Sequence, residues 1–252
     1  TLSGERYTYQ ALDQRSNALA QALVAALGPD NQPVILLLGH SLSMLTAILA
    51  TLKANKAYVA FDPTQATGQL QLLYNATAAA LMVTDQAHYA LAQEIATAHE
   101  QIWLLEALPT TAPDCPNLAI TPDAMAGIFF TSGTINRPKG VPRSHRTILH
   151  RIWFGTNLCH FAPGACISGI RQCGLGGGVA DVFNALLNGA TYCIYPLQTH
   201  GLQELSAWLQ REQITYFHPP IVLFRQWLDT LTPTASFPHL RQILPSGRKH
   251  ST

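Results

Sequence analysis

Between Thr131 and Gly140 the chain places three side-chain hydroxyls (Thr131, Ser132, Thr134), two glycines (Gly133, Gly140) and one lysine (Lys139) within ten residues. That set suits a phosphate group. Glycines let backbone N–H groups approach the oxygens closely, hydroxyls donate hydrogen bonds, and an ammonium offsets the negative charge. An apolar, strand-like run, Gly127 to Phe130, leads straight into the segment. The order Lys139-Gly140-Val141 is not that of a Walker A loop, which closes on Gly-Lys-Ser/Thr. On residue types alone the segment is either a phosphate cradle or an ordinary Ser/Thr-rich turn.

Other chemistry-bearing sets are weaker. The run Gly174-Leu175-Gly176-Gly177-Gly178 suggests a dinucleotide loop, but Val179 occupies the position of the final small residue. Pro196 and Leu197 stand where an acidic ribose ligand would be expected. Five cysteines, an odd number with no C-x-x-C pair, argue against a disulfide framework and a zinc knuckle. No metal ligand and no catalytic acid, base or nucleophile is assigned. His145 follows the hydroxyl-rich segment and His218 precedes Pro219-Pro220; packing roles account for both on sequence grounds.

The elements that must position these residues alternate strand and helix. Leu12, Leu19, Leu23 and Leu27 form one helical stripe, closed by Gly28-Pro29. Pro33 to Leu38 is a continuous apolar run of strand length, as in a sheet covered on both faces. A helix capped by Ser41 or Ser43 follows, then a strand over Ala57 to Phe61. Further segments predicted are helix 69–76, strand 80–84, helix 86–99 and strand 101–105. Prolines 109, 113, 116 and 122 interrupt the pattern, so 107–124 reads as a connector. The alternation resumes with a strand over Met125 to Phe130 and a helix from about Ser144. It continues with helix 179–187, strand 190–195, helix 202–211, strand 214–217, a helix from Pro219-Pro220 to about Leu231 and strand 240–244. The expected class is α/β with mainly parallel sheets covered by helices. The expected organisation is a first αβ subdomain at 1–106, the connector, and a second at 125–252 carrying the hydroxyl-rich loop.

Composition narrows the class of function. Of 252 residues 48% are hydrophobic, and only 12% are charged, against roughly 25% in ordinary soluble domains. Net charge is +1 with no basic stripe, which disfavours nucleic acid as a partner. No apolar run reaches the ~18 residues of a membrane span. The chain opens on Thr1 without an initiator methionine and reads as an interior piece of a longer, cytoplasmic protein.

The segment Thr131 to Gly140 resembles the TSGTTGxPKG loop of the adenylate-forming superfamily, matching eight of its ten positions, with Ile135 and Asn136 as the departures. Tyr7-Thr-Tyr-Gln-Ala-Leu12 resembles that family's opening motif. Leu52 to Pro63 resembles LKAGxAYVPLDP with Asn55 at the usual glycine, and Phe183 to Ala190 resembles xALLxGA. The style is closest to adenylation domains of nonribosomal peptide synthetases.

The resemblance implies the N-terminal core of an ATP-dependent ligase that joins a carboxylate to ATP, giving an acyl-adenylate and pyrophosphate. It implies ATP and Mg²⁺ as cofactors, a small-molecule carboxylic acid as substrate, and a carrier-protein domain or coenzyme A as acceptor in the parent enzyme. Thr131, Ser132, Gly133, Thr134, Lys139 and Gly140 would hold the phosphates. Gly176, Ala180 and His218 would lie on the substrate side. Amino-acid-activating relatives carry at the position of Gly176 an Asp that pairs with the substrate ammonium. Its loss disfavours an α-amino acid and leaves hydroxy, keto and fatty acids. Asp181 is read as structural. Ile243 to Gly247 resembles the strand leading to Gly-Gly-Glu or Ser-Gly-Glu, but Arg248 stands at the glutamate, so a frameshift, a gene boundary or a truncation near 248 is expected. The family's Tyr-Gly-x-Thr-Glu and Thr-Gly-Asp segments and its C-terminal lysine domain are not in this chain. The fragment alone is therefore expected not to complete the reaction, and a catalytically inactive remnant is the alternative.

Overall fold

The computed structural model describes residues 4–97, 101–112, 114–131 and 138–247. Its backbone divides into two compact units, Tyr7–His150 and Arg151–Thr252, the second also taking in Thr1–Arg6.

The first unit is a six-stranded sheet with helices in its crossovers. Helix α1 (Tyr9–Leu27) starts where Thr8 Oγ1 accepts the N–H of Ala11 at 3.1 Å, a cap contributing ~1 kcal/mol. It stops at Gly28, whose φ of 69° suits a residue without Cβ. Strand β1 (Pro33–Leu37) leads to α2 (Leu42–Lys53), capped by Ser41, and α2 packs against α1. Strand β2 (Ala57–Phe61), α3 (Thr67–Thr77), β3 (Leu81–Thr84), α4 (Tyr89–Ile95) and β4 (Ile102–Leu104) follow. Strands β5 (Met125–Thr131) and β6 (Lys139–Ser144) complete the order β4-β3-β1-β2-β5-β6, in which every pairing is parallel except β5–β6. Ile35, Leu37, Val59 and Phe61 pack on Leu70 and Leu73 from α3. Val34 and Leu36, on the opposite face, are equally buried, which is why β1 is apolar at every position. Asn55 takes a left-handed φ of 55°, a region Asn tolerates better than most residues, and its Nδ2 donates to Pro29 O at 2.9 Å.

The second unit has its own parallel sheet. Its elements are β7 (Cys166–Gly169), α6 (Gly176–Leu186), β8 (Thr191–Ile194), α7 (Leu197–His200), α8 (Leu205–Arg211), β9 (Tyr216–Phe217), α9 (Ile221–Leu228) and β10 (Gln242–Ile243). The strand order is β10-β9-β7-β8. Tyr195, Trp208, Phe217 and Trp227 form one core, and Phe161, Ile167 and Tyr216 a second. Helix α5 (His145–Cys159) crosses the division between the two units.

The α/β class with mainly parallel sheets is as expected. The expected division at 107–124 does not coincide with the observed one. The connector lies along α1, where Ala112 N donates to Gln14 O and Gln21 Nε2 to Asp114 O. It carries the chain from edge strand β4 to the far side of β2, so β5 and β6 extend the first sheet and the boundary falls at His150. The sequence pattern also missed β6 and β7. Among the described residues no helix is long and apolar enough to cross a membrane.

Candidate functional site

The hydroxyl-rich loop joins two antiparallel strands. The register sets Thr131 opposite Lys139, Phe130 opposite Gly140 and Phe129 opposite Val141. Lys139 is exposed at the mouth of this hairpin. Ser132, Gly133 and Thr134, with Ile135, Asn136 and Arg137, lie outside the described residues, as does the Thr131 side chain. A Cβ on Gly140 would come within 2.9 Å of Ile128 Cγ2, so packing favours glycine there. The far end of the hairpin is fixed to the start of α5. Arg146 Nε and Nη2 donate to the Asp123 carboxylate at 2.7 and 2.9 Å, and Arg146 N donates to Pro122 O. The Arg146 hydrogen bonds hold the Asp123 carboxyl below its usual range. Arg143 lies over the Phe129 ring at 5.1 Å. His145, the first residue of α5, has a buried Nε2 with no hydrogen-bond partner among the described residues, and burial lowers its pKa.

The second unit holds the residues expected on the substrate side. Gly176, at the start of α6, is exposed with a φ of 46°, and Ala180 lies one turn further on the same face. His218, at the end of β9, is buried. Asp181 joins His218 to the helix. This carboxylate is 1% exposed and accepts from Arg171 Nη2 at 2.6 Å, Arg171 Nε at 2.8 Å and His218 Nδ1 at 2.7 Å. Arg171 Nη1 also donates to Ser246 Oγ at 2.8 Å, and His218 N to Ser168 Oγ at 3.0 Å. Three donors on a buried carboxylate are what its burial demands.

The glycine run is explained by this network. A Cβ on Gly177 would meet Arg171 Nη1 at 2.2 Å, and one on Gly178 would meet Gln172 O at 1.9 Å. The glycines clear a passage for the 171–172 segment beside the first turn of α6. They do not form a dinucleotide loop. The structural role expected for Asp181 agrees with its burial. Arg171, Ser168 and Ser246 were not anticipated; the available signal was an aspartate inside an apolar helix, which requires a cation from elsewhere in the chain.

Among the described residues no group of three or more His, Cys, Asp or Glu is placed to hold a metal ion. Cys166 and Cys193 lie on adjacent strands with their thiols hydrogen-bonded. Cys193 and then Thr191 pull the Cys166 thiol down to about 7 against the opposing effect of burial.

The two-unit α/β architecture and the strand–loop–strand segment place the chain in a known class: it belongs to the AMP-binding enzyme family, whose model matches residues 2–251. It is 32% identical over 251 residues to surfactin synthase subunit 1 of Bacillus subtilis (strain 168), covering 98% of this chain and 7% of that protein. It is 29% identical over 265 residues to tyrocidine synthase 3 of Brevibacillus parabrevis, covering 98% of this chain and 4% of that one. The chain thus spans a small part of the curated relatives it matches. In fold it is similar to the nonribosomal peptide synthetase FmoA3, with a TM-score of 0.86 and 20% identity over 97% of this chain and 26% of that one. It is also similar to the N-terminal domain of FACL13 from Mycobacterium tuberculosis, with a TM-score of 0.86 and 15% identity over 98% of this chain and 64% of that domain.

Proposed function

We propose that this chain is the N-terminal part of an ATP-dependent ligase that adenylates a carboxylic acid. In the complete reaction a carboxylate oxygen attacks the α-phosphorus of ATP, the bond to the bridging oxygen breaks, and acyl-AMP and pyrophosphate form. The observation that supports this best is the β5–β6 hairpin, which sets exposed Lys139 across from Thr131 at the mouth of a hydroxyl- and glycine-rich loop, together with the family match over nearly the whole chain.

The donor set fits a triphosphate. Thr131, Ser132 and Thr134 offer hydroxyls, Gly133 and Gly140 allow close backbone approach, and Lys139 offers a point charge. These groups position the nucleotide and offset charge as pyrophosphate leaves; none of them needs to move a proton. Mg²⁺ would arrive with the nucleotide. The acceptor of the acyl group would be a carrier-protein thiol or coenzyme A.

The substrate-side residues favour an acid without an α-ammonium. Gly176 offers no carboxylate, and the nearby Asp181 carboxylate is already engaged by Arg171 and His218, so an ammonium there would lack a free counter-charge.

Calorimetric titration of the chain with ATP–Mg²⁺ tests the proposal, with Lys139→Ala as the comparison. We expect binding by the wild type and a loss of about tenfold or more in the variant, the scale of one charge-assisted contact. A folded wild-type chain that takes up no ATP would overturn the nucleotide-binding reading of this loop.

A further inference from the structure

The two edges of the six-stranded sheet are finished differently. Strand β6 closes one edge with Lys139, Pro142 and Arg143, the charges and proline that keep a sheet from pairing onward. The other edge is β4, Ile102-Trp103-Leu104, with no charge and no proline. Among the described residues β4 is hydrogen-bonded on one side only, to β3. Its outward N–H and C=O groups are a template for a further strand.

At this edge lies a cavity of about 290 Å³ lined by Tyr89, Ile102, Trp103, Leu104, Ala107 and Leu108. Consecutive strand residues alternate faces, so a cavity that touches all three residues of β4 runs along the open edge. It is at the small end of ligand pockets, roughly 300–1,000 Å³, and suits one apolar side chain better than a whole metabolite.

The surroundings are acidic. Between Ala57 and Asn136 the chain has four Asp and three Glu but no Lys or Arg. Helix α4, which carries Glu94, packs on β3 and β4, and Glu106 follows directly after β4. Both glutamates are exposed, and neither has a Lys or Arg partner among the described residues. Asp85, at the end of β3, is held by His88 at 2.5 Å. The basic residues that follow Asn136 stand at the opposite edge, on β6 and the helix start it leads into.

We propose that β4 is the docking edge for an extended, basic peptide segment of a partner protein. The segment adds a strand to the sheet, sets one apolar side chain in the cavity and places flanking Lys or Arg against Glu94 and Glu106. Main-chain pairing supplies affinity, while the cavity and the charges supply selection. Nothing in this docking depends on the adenylating reading.

The full chain is titrated calorimetrically with an acetylated, amidated nine-residue peptide that carries one central phenylalanine between valines and lysines toward both ends. We expect saturable binding, a tryptophan fluorescence change that is lost in Trp103→Phe, and slowed hydrogen exchange of the β4 amides by mass spectrometry. Serine for the central phenylalanine, or glutamate for the lysines, should weaken binding at least about tenfold. Ala107→Trp, which fills the cavity from an exposed position, should do the same, as should Glu94→Lys combined with Glu106→Lys, each variant being checked for folding by circular dichroism. No binding of the lysine peptide, equal binding of its serine or glutamate versions, or binding that leaves β4 exchange unchanged overturns the proposal. Self-association of the chain in sedimentation, abolished by Ala107→Trp, would assign the edge to a second copy and overturn it as well.

Discussion

Two arginine–carboxylate pairs in this protein have nearly the same geometry and very different surroundings, so they test what burial does to an ion pair. In the first, Arg146 holds Asp123 at 2.7 and 2.9 Å with side chains 63% and 71% exposed. In the second, Arg171 holds Asp181 at 2.8 and 2.6 Å with side chains 17% and 1% exposed. Asp181→Asn keeps shape and volume but leaves a guanidinium inside the second unit without its counter-charge, and takes a charged acceptor from His218 Nδ1. Breaking a buried pair from one side costs about 3–5 kcal/mol, which at ordinary urea m-values lowers the midpoint by on the order of 1–3 M. Asp123→Asn should leave the midpoint where it is, because water solvates the released arginine. Fluorescence of Trp208 and Trp227, both buried in the second unit, follows the relevant transition. The double variant Arg171→Met with Asp181→Leu should recover part of the loss, since it removes both charges together. Equal shifts at Asp181 and Asp123, or an Asp181→Asn loss under about 1 kcal/mol, would refute the assignment of Asp181 as the charge centre of this unit.

Three further outcomes are expected. Gly178→Ala places a Cβ 1.9 Å from Gln172 O, so it should lower stability by about 1–3 kcal/mol or more, read as a drop in Tm, while Gly164→Ala, with open space around it, costs only its backbone strain at a φ of 84°. Burial lowers the folded-state pKa of His145, so the unfolded chain binds more protons between that value and the ordinary ~6.5; stability is full above ~6.5 and falls as pH drops through the window, and denaturation midpoints of His145→Phe should lack that fall. Cys166, drawn down to about 7 chiefly by Cys193, should show an iodoacetamide alkylation rate with an inflection near pH 7, measured by peptide mass spectrometry, and Cys193→Ala should move the inflection upward.

What the amino-acid sequence disclosed, and what it withheld, follows from how each segment is buried. Strands β1 to β3 are legible because the sheet is covered on both faces and every position but Thr84 is apolar. β6 is not, because Lys139, Pro142 and Arg143 suit an edge strand facing solvent. β7 is hidden by its shortness and by Gly169, which reads as a turn signal. A Cβ there would meet Tyr192 Cζ at 2.6 Å, so the glycine serves packing inside the sheet. The loop at 131–140 is legible as a motif because its chemistry is local. The Arg171–Asp181–His218 network is not, because separations of 10 and 37 residues belong to no helical or strand period, and its members meet only after β7, α6 and β9 have packed.

That network bears on whether the departures from the family pattern are damage or design. Loss of the aspartate at Gly176, taken alone, fits erosion of a pocket. Beside it stands an ordered set: two neighbouring glycines whose absent Cβ atoms make room for the 171–172 segment, an arginine reaching through that space to a buried aspartate, and a histidine held by the same aspartate. Each member is costly without the others, since a lone buried Asp181 or Arg171 would be an unpaired charge. The charges of this cluster therefore balance within the second unit, and Asp181, already engaged by Arg171 and His218, is not a free counter-charge beside Gly176.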